Sequence, residues 1–290
     1  MRVLLIQFLV WAWISLPGAE PEQPEPSVLI DETEFVSGCR FEGDTVAEWE
    51  SIPSKVFVLP NGQRVIVAES AVSLIFRTEI ISERYYEKVL EFGHVPGGPR
   101  SGITIGVGYD LGHQSPEDIR RLLKGKIDES DIEKLCGLAG LRGAEAKAVF
   151  EKMEKVKIPL PVAKSIFEER VLPDVVEQTA LSYPQLADLP PEAAGALISL
   201  VFNRGNALSG SSQDDDGQDR RQGMANIRAL LSQGKIDDVA EEIQRMKTLV
   251  SEKERGLLVR RDSEAALFQK GVDSERRRLR AELERLESRQ

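Results

Sequence analysis

Between Ser101 and Gly112 the chain reads SGITIGVGYDLG, with Gly102, Gly106, Gly108 and Gly112 spread among β-branched and aromatic residues. That density of glycine disfavours a helix. The β-branched neighbours favour extended backbone, so the segment reads as two short strands around a turn where glycine supplies positive φ or close backbone approach. The spacing also excludes the common phosphate loops, because no GxGxxG opens a helix and no Lys-Ser or Lys-Thr follows the glycines.

Upstream, Ala71, Leu74, Ile75, Thr78, Ile81, Tyr85 and Leu90 recur near helical spacing, which predicts one amphipathic helix over about residues 70 to 90. Glu79, Glu83 and Glu87 then share a stripe. For Glu83 and Glu87 a solvated face is the expectation. Glu79 lies beside the apolar runs Leu74 to Phe76 and Ile80 to Ile81, and burial disfavours the charged form of a carboxyl, which is what a general acid requires.

Glu79, Tyr86 and the SGITIGVGYDLG segment together resemble the phage-type lysozymes, in particular their pesticin-like muramidase branch. Two later blocks agree in order and spacing. ALISLVFNRG (Ala196 to Gly205) is similar to the helix that closes the cleft in those enzymes, and GLLVRRDSEAALF (Gly256 to Phe268) to their C-terminal helix. The resemblance spans roughly residues 70 to 270. It implies a lysozyme-like α+β fold, mostly α-helical, with a small β wing and a helical lobe. It further implies Glu79 as general acid, Asp110 as second carboxylate and Thr104 as a hydroxyl orienting water. Many phage-type lysozymes carry the aspartate before the Thr-Ile-Gly. Here Val95 to Arg100 contains no acid, and Asp110 after the turn is the pesticin-like arrangement.

Other readings of these positions stand beside that one. Asp110 could cap the turn, and Thr104 could be ordinary strand packing. Tyr109, His113 and Asn203 are candidate substrate contacts. For Asn203, capping of the helix that Gly205 stops is an equal account. His94 and His113 flank the glycine segment and read as loop surface or cleft lining. In the resembling enzymes an arginine holds the catalytic glutamate, which Arg260 or Arg261 could do, unless they form a structural salt bridge elsewhere.

The implied activity is exported hydrolysis of the β-1,4 bond between N-acetylmuramic acid and N-acetylglucosamine in peptidoglycan, with no cofactor. No His/Cys ligand spacing suggests a metal. A catalytically weak glycan-binding or scaffold protein of the cell envelope is the alternative. A toxin aimed at a competitor's wall would need a larger receptor-binding segment, and a lytic transglycosylase would not need Asp110. The formal net charge of -10 argues against electrostatic capture of anionic walls and, with no basic face interleaved with aromatics, against nucleic acid as a partner.

Met1-Arg2, the apolar run Val3 to Leu16 and Pro17-Gly18-Ala19 read as a signal peptide over residues 1 to 19, implying a periplasmic or extracellular chain without stable membrane insertion after cleavage. An uncleaved anchor is the other account. No cysteine follows the run, so lipidation there is not indicated. Residues 20 to 54 make a linker and N-terminal segment. Residues 55 to 68 form a hairpin around Asn61-Gly62. A catalytic domain from 69 to 270 and a charged helical tail from 271 to 290 complete the organisation. Ser115-Pro116 predicts a helix start, with further helices near 143 to 155, 161 to 180 and 191 to 203, and from about Gln222 and Asp237. Cys39 and Cys136 are either bridged or two separate thiols. Asp214 to Asp216 read as a solvated loop. A protein inhibitor, or self-association through the leucines of the tail, remains open as a partner.

Overall fold

The computed structural model describes residues 53–209, 221–249 and 255–289. The expected signal peptide, the linker, Cys39 and Asp214 to Asp216 lie outside them.

The described residues begin with an antiparallel hairpin, β1 (Ser54–Val58) with β2 (Arg64–Ala68), paired in the register Val56↔Ile66. Gly62 takes φ 82° at its turn, where Asn61 Oδ1 accepts from the Gln63 amide at 3.0 Å. Alternation decides the faces: Val65 and Val67 are buried, whereas Val56, Val58 and Ile66 are exposed. The helices that follow are α1 (Glu69–Ile80), α2 (Glu83–Tyr85), α3 (Pro116–Leu123), α4 (Glu129–Cys136), α5 (Gly143–Lys152), α6 (Leu160–Ile166), α7 (Leu172–Ser182), α8 (Pro191–Arg204), α9 (Gln222–Ser232), α10 (Val239–Arg245) and α11 (Arg255–Glu287). A second two-stranded sheet, β3 (Thr104–Ile105) with β4 (Tyr109–Asp110), lies between α2 and α3. The fold is α+β and mostly α-helical, with small antiparallel sheets.

The described residues divide into two units, one of Glu79–Asp174 and the other of residues 53–78 and 175–289. In the second unit α8 is central, with every residue from Glu192 to Phe202 buried. The hairpin strand β2 and helix α11 pack on it. Gly195 permits one close crossing: a Cβ there would sit 2.1 Å from the Ala71 Cβ. Gly205, at φ 75°, stops α8 as its sequence position suggests, donating its amide to the Val201 carbonyl at 2.7 Å.

The single helix expected over 70 to 90 is corrected. It breaks at Ile81, whose φ is 60°, and Ser82 caps a new turn by accepting from the Tyr85 amide. A wide π turn over Tyr86–Leu90 follows. Past the break Tyr86 is buried and donates its hydroxyl to the Ile158 carbonyl at 2.8 Å. Glu83 and Glu87 are exposed, as a solvated stripe requires. Ser115 caps α3 with Pro116 at its first position, as its sequence indicates. Helix α4, which the sequence reading passed over, buries Ile132, Leu135 and Cys136. The Cys136 thiol contacts the Pro116 carbonyl at 3.3 Å. The C-terminal helix expected over Gly256 to Phe268 and the helical tail expected from 271 are one continuous helix that ends at Glu287.

Candidate functional site

The glycine segment folds around the Asp110 carboxylate. Oδ1 accepts the Gly102 amide at 3.0 Å and the Gly112 amide at 2.8 Å, and Oδ2 is 3.1 Å from the Gly102 nitrogen. The glycine spacing follows from this arrangement. A Cβ on Gly102 would meet Asp110 Oδ1 and the Gly112 backbone at 2.5 Å, and one on Gly112 would meet the Leu141 carbonyl at 2.7 Å. Gly106 and Gly108 serve the turn between the strands, at φ 56° and 79°. Arg142 ties the far side by donating from Nε to the Gly112 carbonyl at 2.7 Å. Asp110 therefore does cap the turn, as one of its two readings holds, with a quarter of its side chain left open.

Thr104 is paired directly with Asp110 across the sheet. The Leu111 amide donates to the Ile103 carbonyl at 2.9 Å, which places the Thr104 and Asp110 pair between hydrogen-bonded rungs, the geometry in which facing side chains approach most closely. On its other side Thr104 exchanges both backbone hydrogen bonds with His94, at 2.8 and 2.9 Å. His94, Thr104 and Asp110 thus form one row with their side chains on one face. Thr104 is 5% exposed.

His94 is the residue that sequence reasoning undervalued. Burial pushes its imidazole below the ordinary histidine range, and the Asp110 carboxylate partly opposes the shift. Its Nδ1 is enclosed with no hydrogen-bond partner among the described residues. Nothing in the local sequence marks it, since the row exists only through strand register. His113 joins from the open side, its Nε2 3.8 Å from Asp110 Oδ2. Among the described residues no group of three His, Cys, Asp or Glu could hold a metal ion.

Tyr109, a candidate substrate contact, is 2% exposed and alternates to the face opposite Asp110. Burial pushes its phenol up to about 12, so it serves the wing's core. Glu79 is the penultimate residue of α1, 7% exposed, directly before the break at Ile81. The structure therefore brings Thr104, Asp110 and His113 together with His94. Asn203 belongs to the other unit, where its Oδ1 accepts from Arg261 Nη2 at 2.8 Å.

The arginines Arg260 and Arg261 meet a common carboxylate. Arg260 Nε donates to Glu264 Oε1 at 3.1 Å and Arg261 Nε lies 3.1 Å from Oε2, with all three side chains at or near full burial. Ser199 adds a hydroxyl donated to Glu264 Oε1 at 2.6 Å. Burial pushes the Arg261 guanidinium down to about 9, and Glu264 opposes the shift. Both arginines therefore meet Glu264 within their own helix.

Residues 78–176 match a domain of unknown function, DUF8812. No curated protein matches the chain. The matched stretch begins one residue before Glu79 and contains His94, Thr104, Asp110 and His113.

Proposed function

We propose that this chain is an exported peptidoglycan hydrolase, a muramidase, of the phage-type lysozyme superfamily in its pesticin-like branch. The supporting observation is the Thr104 and Asp110 pair, held side by side on the face of a glycine-built wing beside a histidine with an unpartnered ring nitrogen. Glu79, buried at the end of α1, is the general acid. It transfers its proton to the leaving glycosidic oxygen as positive charge develops on the anomeric carbon. Asp110 takes a proton from the attacking water, which the Thr104 hydroxyl orients. Water is thereby added across the β-1,4 bond and no cofactor is consumed. Peptidoglycan strands are the partner, and the leader read in residues 1 to 19 delivers the chain to the envelope.

A second reading has an observation of its own. The Asp110 carboxylate already accepts two backbone amides, a pattern that stabilises a loop irrespective of catalysis. On that reading the chain binds glycan without efficient turnover.

Release of muropeptides from purified peptidoglycan, followed by mass spectrometry, separates them. Wild type is expected to release reducing-end fragments, and Glu79→Gln and Asp110→Asn to abolish release while keeping the folded far-ultraviolet spectrum. Anhydro-ended fragments that persist in Asp110→Asn would make the chain a lytic transglycosylase. Glycan binding without release between pH 4 and 8 would leave the second reading.

A further inference from the structure

Helix α11 carries apolar residues in two stretches, separated by the polar run Asp273 to Arg278. Ala265, Phe268 and Val272 in the first are buried against the helix's own unit. The second holds Leu279, Leu283 and Leu286, which are 47%, 60% and 53% exposed. The spacing of four and then three is that of a two-helix seam, with Leu279 and Leu286 at d and Leu283 at a.

The charges beside this seam select its partner. In that heptad frame Arg280 and Glu287 occupy e positions, and Glu282 and Arg289 occupy g positions. Arg280, Glu287 and Arg289 make no salt bridge among the described residues, whereas Arg276 pairs with Asp237, and Arg278 with Glu275 and, at 4.0 Å, with Glu282. In an antiparallel pair of identical helices e faces e and g faces g. Setting Leu283 opposite Leu286 of a second copy places Arg280 against Glu287 and Glu282 against Arg289, and the two-fold axis repeats both pairs. All four flanking contacts then join opposite charges. Sliding the copies by one heptad instead sets Arg280 on Arg280 and Glu282 on Glu282. A parallel pair stacks Arg276 on itself at an a position and faces Glu282 with Glu287.

We propose that residues 279–289 form a self-recognition surface through which two copies of this chain associate as an antiparallel helix pair in this register. Three half-exposed leucines make a small interface, so the association is a weak, concentration-dependent one. It is independent of the catalytic reading, since no residue of the wing takes part.

The test is sedimentation equilibrium of the full mature chain from about 10 µM to about 1 mM, a range that spans weak self-association. Wild type is expected to pass from monomer to dimer, and Leu283→Glu to remain monomeric. Arg280→Glu and Glu287→Arg each convert both e contacts to like charges and should weaken dimerisation by about tenfold or more. The double variant restores opposite charges and should recover most of the wild-type association. These side chains are exposed, so folding, followed by circular dichroism, is expected to be unchanged. A wild type that stays monomeric throughout overturns the proposal. So does tighter association of Glu287→Arg alone, which would mean a parallel pair, or a failure of the double variant to recover.

Discussion

The protein handles charge in two opposite ways, one in each unit. At the wing, Asp110 is held by backbone amides of Gly102 and Gly112, keeps part of its carboxylate open, and has His113 approaching from solvent. In the helical unit, Glu264 is fully enclosed and answered by two guanidiniums and a hydroxyl from Arg260, Arg261 and Ser199. The first arrangement fixes a carboxylate while leaving it an edge for chemistry. The second closes ion pairs within α11 and ties them to α8 through the Ser199 hydroxyl and the Asn203 amide. A buried charge is thus not by itself a sign of function. The two carboxylates differ in what satisfies them, backbone amides with an open edge at Asp110 and buried side chains at Glu264.

The comparison sharpens first at Glu264. Replacing it with alanine leaves two buried guanidiniums without their shared counter-charge, and the expected loss is about 3–5 kcal/mol of unfolding free energy in urea titration. Asp110→Ala strands the Gly102 and Gly112 amides beside a site that water can partly reach, so about 1–3 kcal/mol is expected in the same titration, and the proposed function adds loss of muropeptide release. If Asp110→Ala costs as much as Glu264→Ala, the wing carboxylate is structural in the same sense. Ser199→Ala removes one hydroxyl from the enclosed cluster, and a loss of about 1 kcal/mol is expected.

The smallest effect concerns His94. Its folded pKa lies below the ordinary 6.5 because burial disfavours the imidazolium. As pH falls below 6.5, the unfolded chain takes up a proton that the folded chain refuses, so the unfolded state binds more protons and stability falls with pH until the folded pKa is passed. His94→Gln should remove that part of the acid dependence in thermal melts at stepped pH, while the part due to carboxylates remains. An unchanged slope would place His94 outside the wing's electrostatics.

Legibility in the sequence follows the range of the interactions. The hairpin around Asn61-Gly62, the cap at Ser115-Pro116 and the stop at Gly205 are local backbone events and were readable from a few residues each. The wing's turn was readable for the same reason, as were the exposed Glu83 and Glu87. The break at Ile81 was not, since apolar residues recur near helical spacing on both sides of it; Ser82 alone signalled a cap. Helix α4 had its signals in Asp128, the buried positions Ile132 and Leu135, and Gly137, but it is short and its period is brief. Thr104 and Asp110 were singled out by the family resemblance, with the glycine turn between them, whereas Tyr109 drew notice for its chemistry and proved to face the core, because adjacent strand residues point to opposite faces.

The sequence by itself determined where helices start and stop, which strand positions alternate, and that a carboxylate and a hydroxyl sit on either side of a glycine turn, because these depend on φ preferences and periods within a few residues. Only the tertiary structure decided that His94 lines up with Thr104 and Asp110, and that Ser199, Arg260, Arg261, Glu264 and Asn203 close into one buried cluster. Those partners are separated by 10 residues from His94 to Thr104 and by 61 from Ser199 to Arg260. Strand register and helix packing select them, and no local rule of the chain encodes either.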